Sequence, residues 1–573
     1  MSGKVIISAV SLILVVGVAI GTIVVVHKQN GDSGQISSHQ NAVAEMCQNS
    51  DDPKFCQQTL SHVNDTSDPK AFLATVVEAT TNSVIKALNM SDRLIVDHGN
   101  GQNGVKMALE DCKDLLQFAM DSLQFSTDLL RNDIKTVTAQ TPDFRNWLSA
   151  VISYQQACMD GFDDNNDGEK QVKSQLQQQG LDDMGKITGI ALDMVANLAK
   201  ILDKFGLHLD VKPASRRLME VDSEGYPTWF SASDRKLLQK MRRGHHVKPN
   251  VVVAKDGSGN FKTIAEAIAS YPKNGLGPNG RYVIFVKAGV YPEYIIVPKS
   301  AVNILMYGEG AAKTVITGNK NFVDGVKTMQ TATFANTATG FIAKYMSFVN
   351  SAGPEKHQAV ALRNQGDMSA FFDCAIVGYQ DTLYAQTNRQ FYRNCDISGT
   401  IDFIFGVSPT LIQNSRIVVR KPLDNQFNTV TADGTSQKNM PTGIVIQNCD
   451  IVPEPALFPV RFQLMSYLGR PWKAYSKTVV MESRIGDVIH PDGWIPWEGS
   501  MYLDTLYYAE YNNVGPGANV QRRVKWPGYK GLISKNEAVQ FTAGQFLKGG
   551  PTSDSAVWLK ALHVPFDLGF TKP

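Results

Sequence analysis

The sequence predicts two domains of different class: an all-α antiparallel helical bundle, then an all-β parallel β-helix. Three observations predict this. At 573 residues the chain is too long for one ordinary core. Between about residues 40 and 205 apolar residues recur at helical spacing, without strand-like runs. After about residue 250 short β-rich runs take over and settle into a repeat of about 20–25 residues. A hydrophobic fraction of 43% with 19% charged residues fits folded material.

Val5 to Val26 forms 22 uncharged positions between Lys4 and the pair His27 and Lys28. That exceeds a signal-peptide core and is long enough to span a bilayer, so residues 1–28 read as a signal anchor in preference to a cleaved signal peptide. Either sends the remainder into the secretory lumen. Asn64-Asp-Thr66 and Asn89-Met-Ser91 are acceptor sequons for glycosylation there.

Residues 40–205 carry the helical pattern. Phe72, Leu73, Val76, Val77, Val84, Ile85 and Leu88 form one apolar stripe. Leu109, Cys112, Leu115, Leu116, Ala119 and Leu123 form a second, and Trp147, Leu148, Val151 and Ile152 a third. Ile187 to Phe205 supplies a fourth. Amphipathic helices in succession pack as an antiparallel bundle. Cys112 and Cys158 fall on different stripes and could staple two helices, and Cys47 and Cys56 are close enough to clip a hairpin. No Cys-x-x-Cys pair occurs among the seven cysteines, which argues against zinc and thioredoxin chemistry.

Residues 206–250 read as a linker. They hold two basic tetrads, Arg216-Arg217-Leu218-Met219 and Arg235-Lys236-Leu237-Leu238, candidate processing sites in a secreted chain. Charge also divides here. Residues 1–238 carry 21 Lys/Arg against 30 Asp/Glu, whereas residues 239–573 carry 35 against 24. The basic half suits an anionic partner, and nucleic acid and acidic polysaccharide both qualify on charge alone.

Residues 251–573 carry the β-repeat. "AFFDCAIVGYQDTLY", "QFYRNCDISGTIDFIFG", "TLIQNSRIVV", "IVIQNCDIV" and "TVVMESRIGDVI" share an apolar pair, a polar step, a Cys or Ser and a further apolar residue. Phe372, Tyr392 and Ile412 succeed one another by 20, and Cys374 and Cys395 differ by 21. A sandwich would show hairpins at shorter spacing and a propeller blade about twice this period, so the repeat reads as a solenoid. The gap of 34 before "IVIQNCDIV" marks an inserted loop, and loops on one face of a solenoid build clefts.

Residues one coil apart stack about 4.8 Å from each other. Asp381 and Asp402 differ by 21, so they are expected side by side, with Gln358 and Gln380 as flanking amides at intervals of 22. Two adjacent carboxyls tend to share a proton, which provides an acid and an anion at one pH. Such a pair can act as nucleophile and acid/base, or can simply form a turn-capping ladder.

Five strings in order, "GVYPE" (Gly289–Glu293), "QAVAL" (Gln358–Leu362), "YQDTLY" (Tyr379–Tyr384), "DFIFG" (Asp402–Gly406) and "LGRPW" (Leu468–Trp472), resemble the plant pectin methylesterases. These are carbohydrate esterases of the right-handed parallel β-helix fold, and the resemblance covers roughly residues 250–560. It implies that Asp402 is the nucleophile, that Asp381 protonates departing methanol and then activates water, and that Gln380 stabilises the oxyanion. It implies further that Gln358 supplies a second amide, that Arg470 holds the nucleophilic carboxylate, that Trp472 stacks on substrate and that Thr328 contacts it. Cys374 and Cys395 match a disulfide-bonded pair of the family. "GVYPE" implies no catalytic role, only a turn entering the solenoid.

The four cysteines Cys47, Cys56, Cys112 and Cys158 on a helical bundle resemble the pectin methylesterase inhibitor domain, in which first pairs with second and third with fourth. The two basic tetrads resemble sites cut by subtilisin-like proteases before release to the cell wall. The implied protein is therefore a membrane-anchored precursor whose pro-region inhibits or chaperones a pectinesterase. No metal or organic cofactor is implied. The implied partner of the basic half is pectin, methyl-esterified homogalacturonan in particular, and not nucleic acid; partly de-esterified, anionic pectin should bind it in a salt-sensitive way. A pectate lyase would need calcium-binding carboxylates and a basic catalytic residue. A polygalacturonase would cleave glycosidic bonds with its carboxylates. A non-catalytic wall-binding protein would lack one of Asp381, Asp402 and Arg470.

Overall fold

The structure is a computed structural model. It describes residues 38–98, 103–207, 248–272, 276, 280–550, 556, 558, 559, 562 and 564–571. The apolar segment Val5 to Val26 and both basic tetrads lie outside the described residues, and among these no helix is long and apolar enough to cross a membrane.

The four apolar stripes become the long helices Pro69–His98, Asn103–Leu130, Thr141–Asp160 and Asp182–Ala196. Leu73, Val76, Leu116, Ala119, Leu148, Ile152, Leu192 and Val195 meet in one buried core. Side-chain caps set the chain's re-entries: Asp133 accepts from the N–H groups of Lys135 and Thr136, and Asn166 from those of Gly168 and Glu169. Both disulfides expected of this domain are present, Cys47–Cys56 and Cys112–Cys158, the second joining helix Asn103–Leu130 to helix Thr141–Asp160. A π-turn at Gln177–Leu181 breaks the run into the last long helix. Gly180 sits there at φ 137°, and a Cβ would lie 2.8 Å from the Ser83 carbonyl of helix Pro69–His98, so the kink needs glycine for both reasons.

From Val251 onward the strands form three parallel sheets of eleven, seven and eight strands, each strand pairing with its counterpart one coil away. This is the expected parallel β-helix. Ile284, Met306, Phe371, Tyr392, Ile412 and Ile446 stack along its interior. The turns between sheets are made by single residues in the left-handed region: Asp373, Asn394, Asn414 and Asn448 take φ from 51° to 52° at equivalent positions. Asp and Asn tolerate this conformation better than other side chains. Asn448 also donates its amide to Asn414 at 2.9 Å. "GVYPE" is a strand, Gly289–Tyr291, rather than a turn; Glu293 then accepts from the N–H groups of Ile264 and Ala265 and so caps the helix that closes the first coil.

The register corrects two expectations. Phe371, not Phe372, pairs with Tyr392, whereas Tyr392 and Ile412 pair as expected. The first coil advances by 21 and the second by 20, and a one-residue slip turns a strand residue to the opposite face. Phe371 therefore stacks on Tyr392 inside, with centroids 5.0 Å apart, while Phe372 packs outward against the C-terminal segment. Cys374 and Cys395 do occupy adjacent coils, but they are not disulfide-bonded; they are buried free thiols, as is Cys449. Equivalent side chains of a parallel stack project side by side into the core. Each of the two thiols is engaged with main-chain carbonyls, Cys374 with Phe372 O at 3.4 Å and Cys395 with Arg393 O at 3.3 Å.

Candidate active site

The site lies on the outer face of the seven-stranded sheet. Strand Leu383–Ala385 pairs with Ile404–Gly406 so that Leu383 opposes Ile404, an interval of 21. Asp381 and Asp402 each precede their strand by two residues and so are stacked neighbours, as their spacing predicts. Both adopt left-handed backbone, φ 62° and 50°, which turns the chain into the sheet and carries the carboxyl outward. The Asp381 N–H donates to Ile401 O at 3.0 Å, locking the two turns together.

Arg470 grips Asp402. Its Nε donates to Oδ1 at 2.8 Å and its Nη2 to Oδ2 at 2.5 Å, a two-pronged contact that a lysine could not reproduce. Thr429 occupies the next coil. It accepts from the Asp402 N–H at 2.8 Å and donates its hydroxyl to Asp402 Oδ1 at 2.6 Å. The guanidinium is steadied in turn by the Trp497 ring, 4.2 Å away. Among the described residues Asp381 has no such partner. Burial, and next the negative charge of Asp402, hold its carboxyl well above the usual range, with Arg470 opposing only in part. The two carboxyls are thus chemically unlike: one is gripped by a cation, the other is buried without one and its carboxyl is pushed up.

Around the pair the outward row carries aromatic and apolar side chains, with Arg363 one coil before Tyr384. Tyr384 and Phe405 stack with centroids 4.4 Å apart, and Trp472 meets Phe405 edge-on at 6.1 Å. Val360 and Ala432 complete the floor, with Met329 and Trp497 at its rim. Gly434 makes room for Trp472, since a Cβ there would come within 2.7 Å of the ring. Gln380 and Gln358 are half-buried beside the pair. The interval of 21 stacks Gln380 with Ala359 and Ile401, one position short of Asp402, so the two amides stand in neighbouring columns and not in the carboxylates' own. Thr328 is half-buried in the turn Thr328–Thr331 at the edge of the face. Among the described residues no group of His, Cys, Asp and Glu is arranged to hold a metal ion.

The helical domain sits on this face. Ser153 donates to Gln386 O at 2.8 Å, Asn146 to Asn388 Oδ1 at 2.9 Å, and Arg145 to Asn439 O at 2.7 Å. Acidic groups of the bundle meet basic groups of the β-helix: Glu169 with Lys327 at 2.5 Å, Asp160 with Lys473 at 2.7 Å, Asp121 with Lys299 at 2.5 Å and Asp143 with Arg389 at 2.7 Å. Met329, Val407 and Met440 join the bundle's own apolar core. The opposed charges of the two halves of the sequence therefore meet across one interface, and Asp381 and Asp402 beneath it are only 8% and 5% exposed.

Sequence reasoning missed Thr429, Trp497, Tyr384, Phe405 and Arg363. Tyr384 and Phe405 lie inside quoted motifs, and strand alternation from the inward Leu383 and Ile404 would have placed them outward. Thr429 follows Asp402 by 27 residues, across a coil of irregular length, and Trp497 lies in a loop outside the repeat. No periodic signal marks either.

The fold and the site together define a class, a β-helical protein with unlike paired carboxyls on an aromatic outer face and a helical domain docked over it. Comparison with known proteins narrows this. The family profile described as Pectinesterase matches residues 250–550, and that described as Plant invertase/pectin methylesterase inhibitor matches residues 41–194. Pectinesterase 4 of Arabidopsis thaliana is 39% identical over 610 aligned positions, covering 99% of this chain and all of the relative. Probable pectinesterase/pectinesterase inhibitor 13 of the same plant is 40% identical, covering 90% of this chain and 80% of its own. Among solved structures, pectin methylesterase from carrot is 50% identical with a TM-score of 0.54, covering 57% of this chain and 99% of that one. The chain belongs to the pectinesterase family and carries an N-terminal domain of the pectin methylesterase inhibitor type.

Proposed function

We propose that residues 251–573 hydrolyse the methyl esters of homogalacturonan with Asp402 as nucleophile and Asp381 as acid/base. Asp402 attacks the ester carbonyl carbon and forms a tetrahedral intermediate, whose oxyanion Gln380 and Gln358 receive with their amide N–H groups. As the C–O bond to the methoxy group breaks, the proton on Asp381 moves to that oxygen and methanol leaves. Asp381, now a carboxylate, takes a proton from water, the hydroxide attacks the acyl carbon, and Asp402 departs from the free galacturonate. Arg470 orients Asp402 for attack. Trp472 stacks on a sugar ring and Thr328 contacts the substrate at the edge. The one observation that carries this reading is the asymmetry of the pair, Asp402 held by the arginine fork and Asp381 with its carboxyl raised. The test is methanol release from pectin by Asp402→Ala, expected to fall at least about a thousandfold while chain length stays unchanged with the wild type. Persistent methanol release by the variant sinks the nucleophile assignment. New reducing ends or an unsaturated product would instead favour a polygalacturonase or a lyase.

For residues 40–205 the reading is an intramolecular inhibitor that excludes pectin from the face until it is removed. The hydrogen bonds and ion pairs from Asp143, Ser153, Asp160 and Glu169 to that face support it. Residues 206–250 serve as the linker, cut after Arg216-Met219 or Arg235-Leu238 by a subtilisin-like protease, and residues 1–28 deliver the precursor through the secretory pathway to the cell wall. Asn64 and Asn89 are exposed and open to glycosylation on the way.

A further inference from the structure

Arg363 is a buried cation that the ester chemistry leaves unused. It lies on the strand Leu362–Asn364, and the register aligns it on the outward row with Ala335, Tyr384, Phe405 and Ala432. The register puts Asp381 in the column of Val360, so Arg363 stands away from it by one coil, about 5 Å, and by three residues along the strand, about 10 Å. That is beyond bonding reach of the reacting ester and suited to the next sugars of the same polymer. A guanidinium offers five donors in a planar fork. Among the described residues Nη1 meets only neutral amides, Gln365 Oε1 at 3.2 Å and Gln386 Oε1 at 3.3 Å, and Nε is buried without a partner. The residue is 8% exposed, so this shortfall is not met by solvent.

Asp111 and Asp114 of helix Asn103–Leu130 stand in the field of Arg363 and offset part of the effect of its burial. Asp111 accepts from Gln330 at 2.8 Å.

Building on the esterase reading, we infer that Arg363 in the released enzyme binds the free carboxylate of a galacturonate neighbouring the one whose ester is cleaved, and that Asp111 and Asp114 fill the same electrostatic position while the bundle is docked. Arg363 is then a specificity-determining residue: it favours methyl esters that lie beside units already de-esterified. The lysines of the face pair with the bundle's carboxylates as point charges, whereas Arg363 has the planar geometry that matches a carboxylate.

The catalytic region serves for the test, because its interior core draws only on residues after 250 and the carrot enzyme is such a region standing alone. Methanol release is measured on nearly fully esterified pectin and on half-esterified pectin. The ratio of kcat/KM, half-esterified over fully esterified, is expected to fall about tenfold in Arg363→Gln, mainly through KM, with part of it recovered in Arg363→Lys. Lys530→Gln, at an exposed site away from the face, should leave the ratio alone. A second measurement needs no variant: unesterified oligogalacturonate should shield Arg363 of the wild type from an arginine-specific dicarbonyl, read by mass spectrometry, and a fully esterified oligomer should not. Methanol release with an unaltered ratio, equal losses on both pectins, or equal shielding by both oligomers overturns the subsite alone. No methanol from the wild type on either pectin overturns the esterase reading and the subsite with it.

Discussion

Asp143→Ala should loosen the helical domain from the β-helix without unfolding either. Asp143 is 3% exposed, and its Oδ1 lies 2.7 Å from Arg389 Nη1. Both of its oxygens also accept from the Gly550 N–H at 3.0 Å. Stripping one partner from a buried pair costs about 3–5 kcal/mol when the other charge is left bare. Arg389 is not left bare, because Asp367 holds its Nε at 3.0 Å and its Nη2 at 2.5 Å, and Lys548 O takes Nη1 at 2.9 Å. The loss is therefore set by charge-assisted hydrogen bonds, about 2–3 kcal/mol, which raises the undocked population roughly 30- to 150-fold. Amide exchange of the full chain measures it. Protection at Gln386–Gln390 should fall by that factor, while the interior of helix Pro69–His98 and the strand Ser369–Phe372 keep theirs. Methanol release by the uncleaved chain should rise in parallel. Exchange at Gln386–Gln390 that changes less than about threefold, or that rises equally inside the bundle, refutes the reasoning.

Docking should depend on pH. Asp111 and Asp193 are pushed up to about 6, first by burial, against hydrogen bonds from Gln330 and Asn439 of the β-helix. Carboxyls raised in the docked state mean that these two groups take up protons on docking, so their contribution to it is complete below the ordinary carboxylate value of about 4 and is lost as the pH rises through about 6. Exchange at Gln386–Gln390 across that range checks the sign; protection that increases with pH contradicts it. The unfolded, unreduced protein should titrate three thiols, Cys374, Cys395 and Cys449, and a count of one would restore the Cys374–Cys395 bond. Reducing Cys112–Cys158, which closes a separation of 46 residues, should destabilise the bundle by about 4 kcal/mol in thermal unfolding. Gly434→Ala should displace the Trp472 ring, raising KM for pectin more than it lowers kcat; an unchanged KM would mean that Trp472 only packs on Phe405.

Much of this molecule was legible in the chain. The apolar stripes named the helices, and the interval shared by Asp381 with Asp402 and Cys374 with Cys395 was the true coil advance. "GVYPE", read as a turn, is a strand, and the other failures are of one residue or one bond. The interval of 20 sets Phe372 in series with Tyr392 and Ile412, yet the first of these coils advances by 21. Gln380 is expected as a flanking amide at an interval of 22 from Asp402, and the advance of 21 stacks it on Ile401, one column away. Cys374 and Cys395 were placed correctly in the stack, but adjacency along a coil does not by itself form a bond.

The sequence by itself determined the two fold classes, the disulfides of the bundle, the stacking of the two aspartates and the acidic–basic division of the chain. A repeat leaves its imprint on every coil, because each strand must present the same inward pattern to its neighbours. Tertiary structure alone decided that Thr429 and Trp497 complete the grip on Asp402 and its arginine, that Arg363 stands on the same row as Tyr384 and Phe405, and that Asp143, Asp160 and Glu169 find their basic partners there. Such contacts join segments through loops of irregular length and through the docking of one domain on another. Their geometry is set by shape and charge in space, which no periodicity along the chain records.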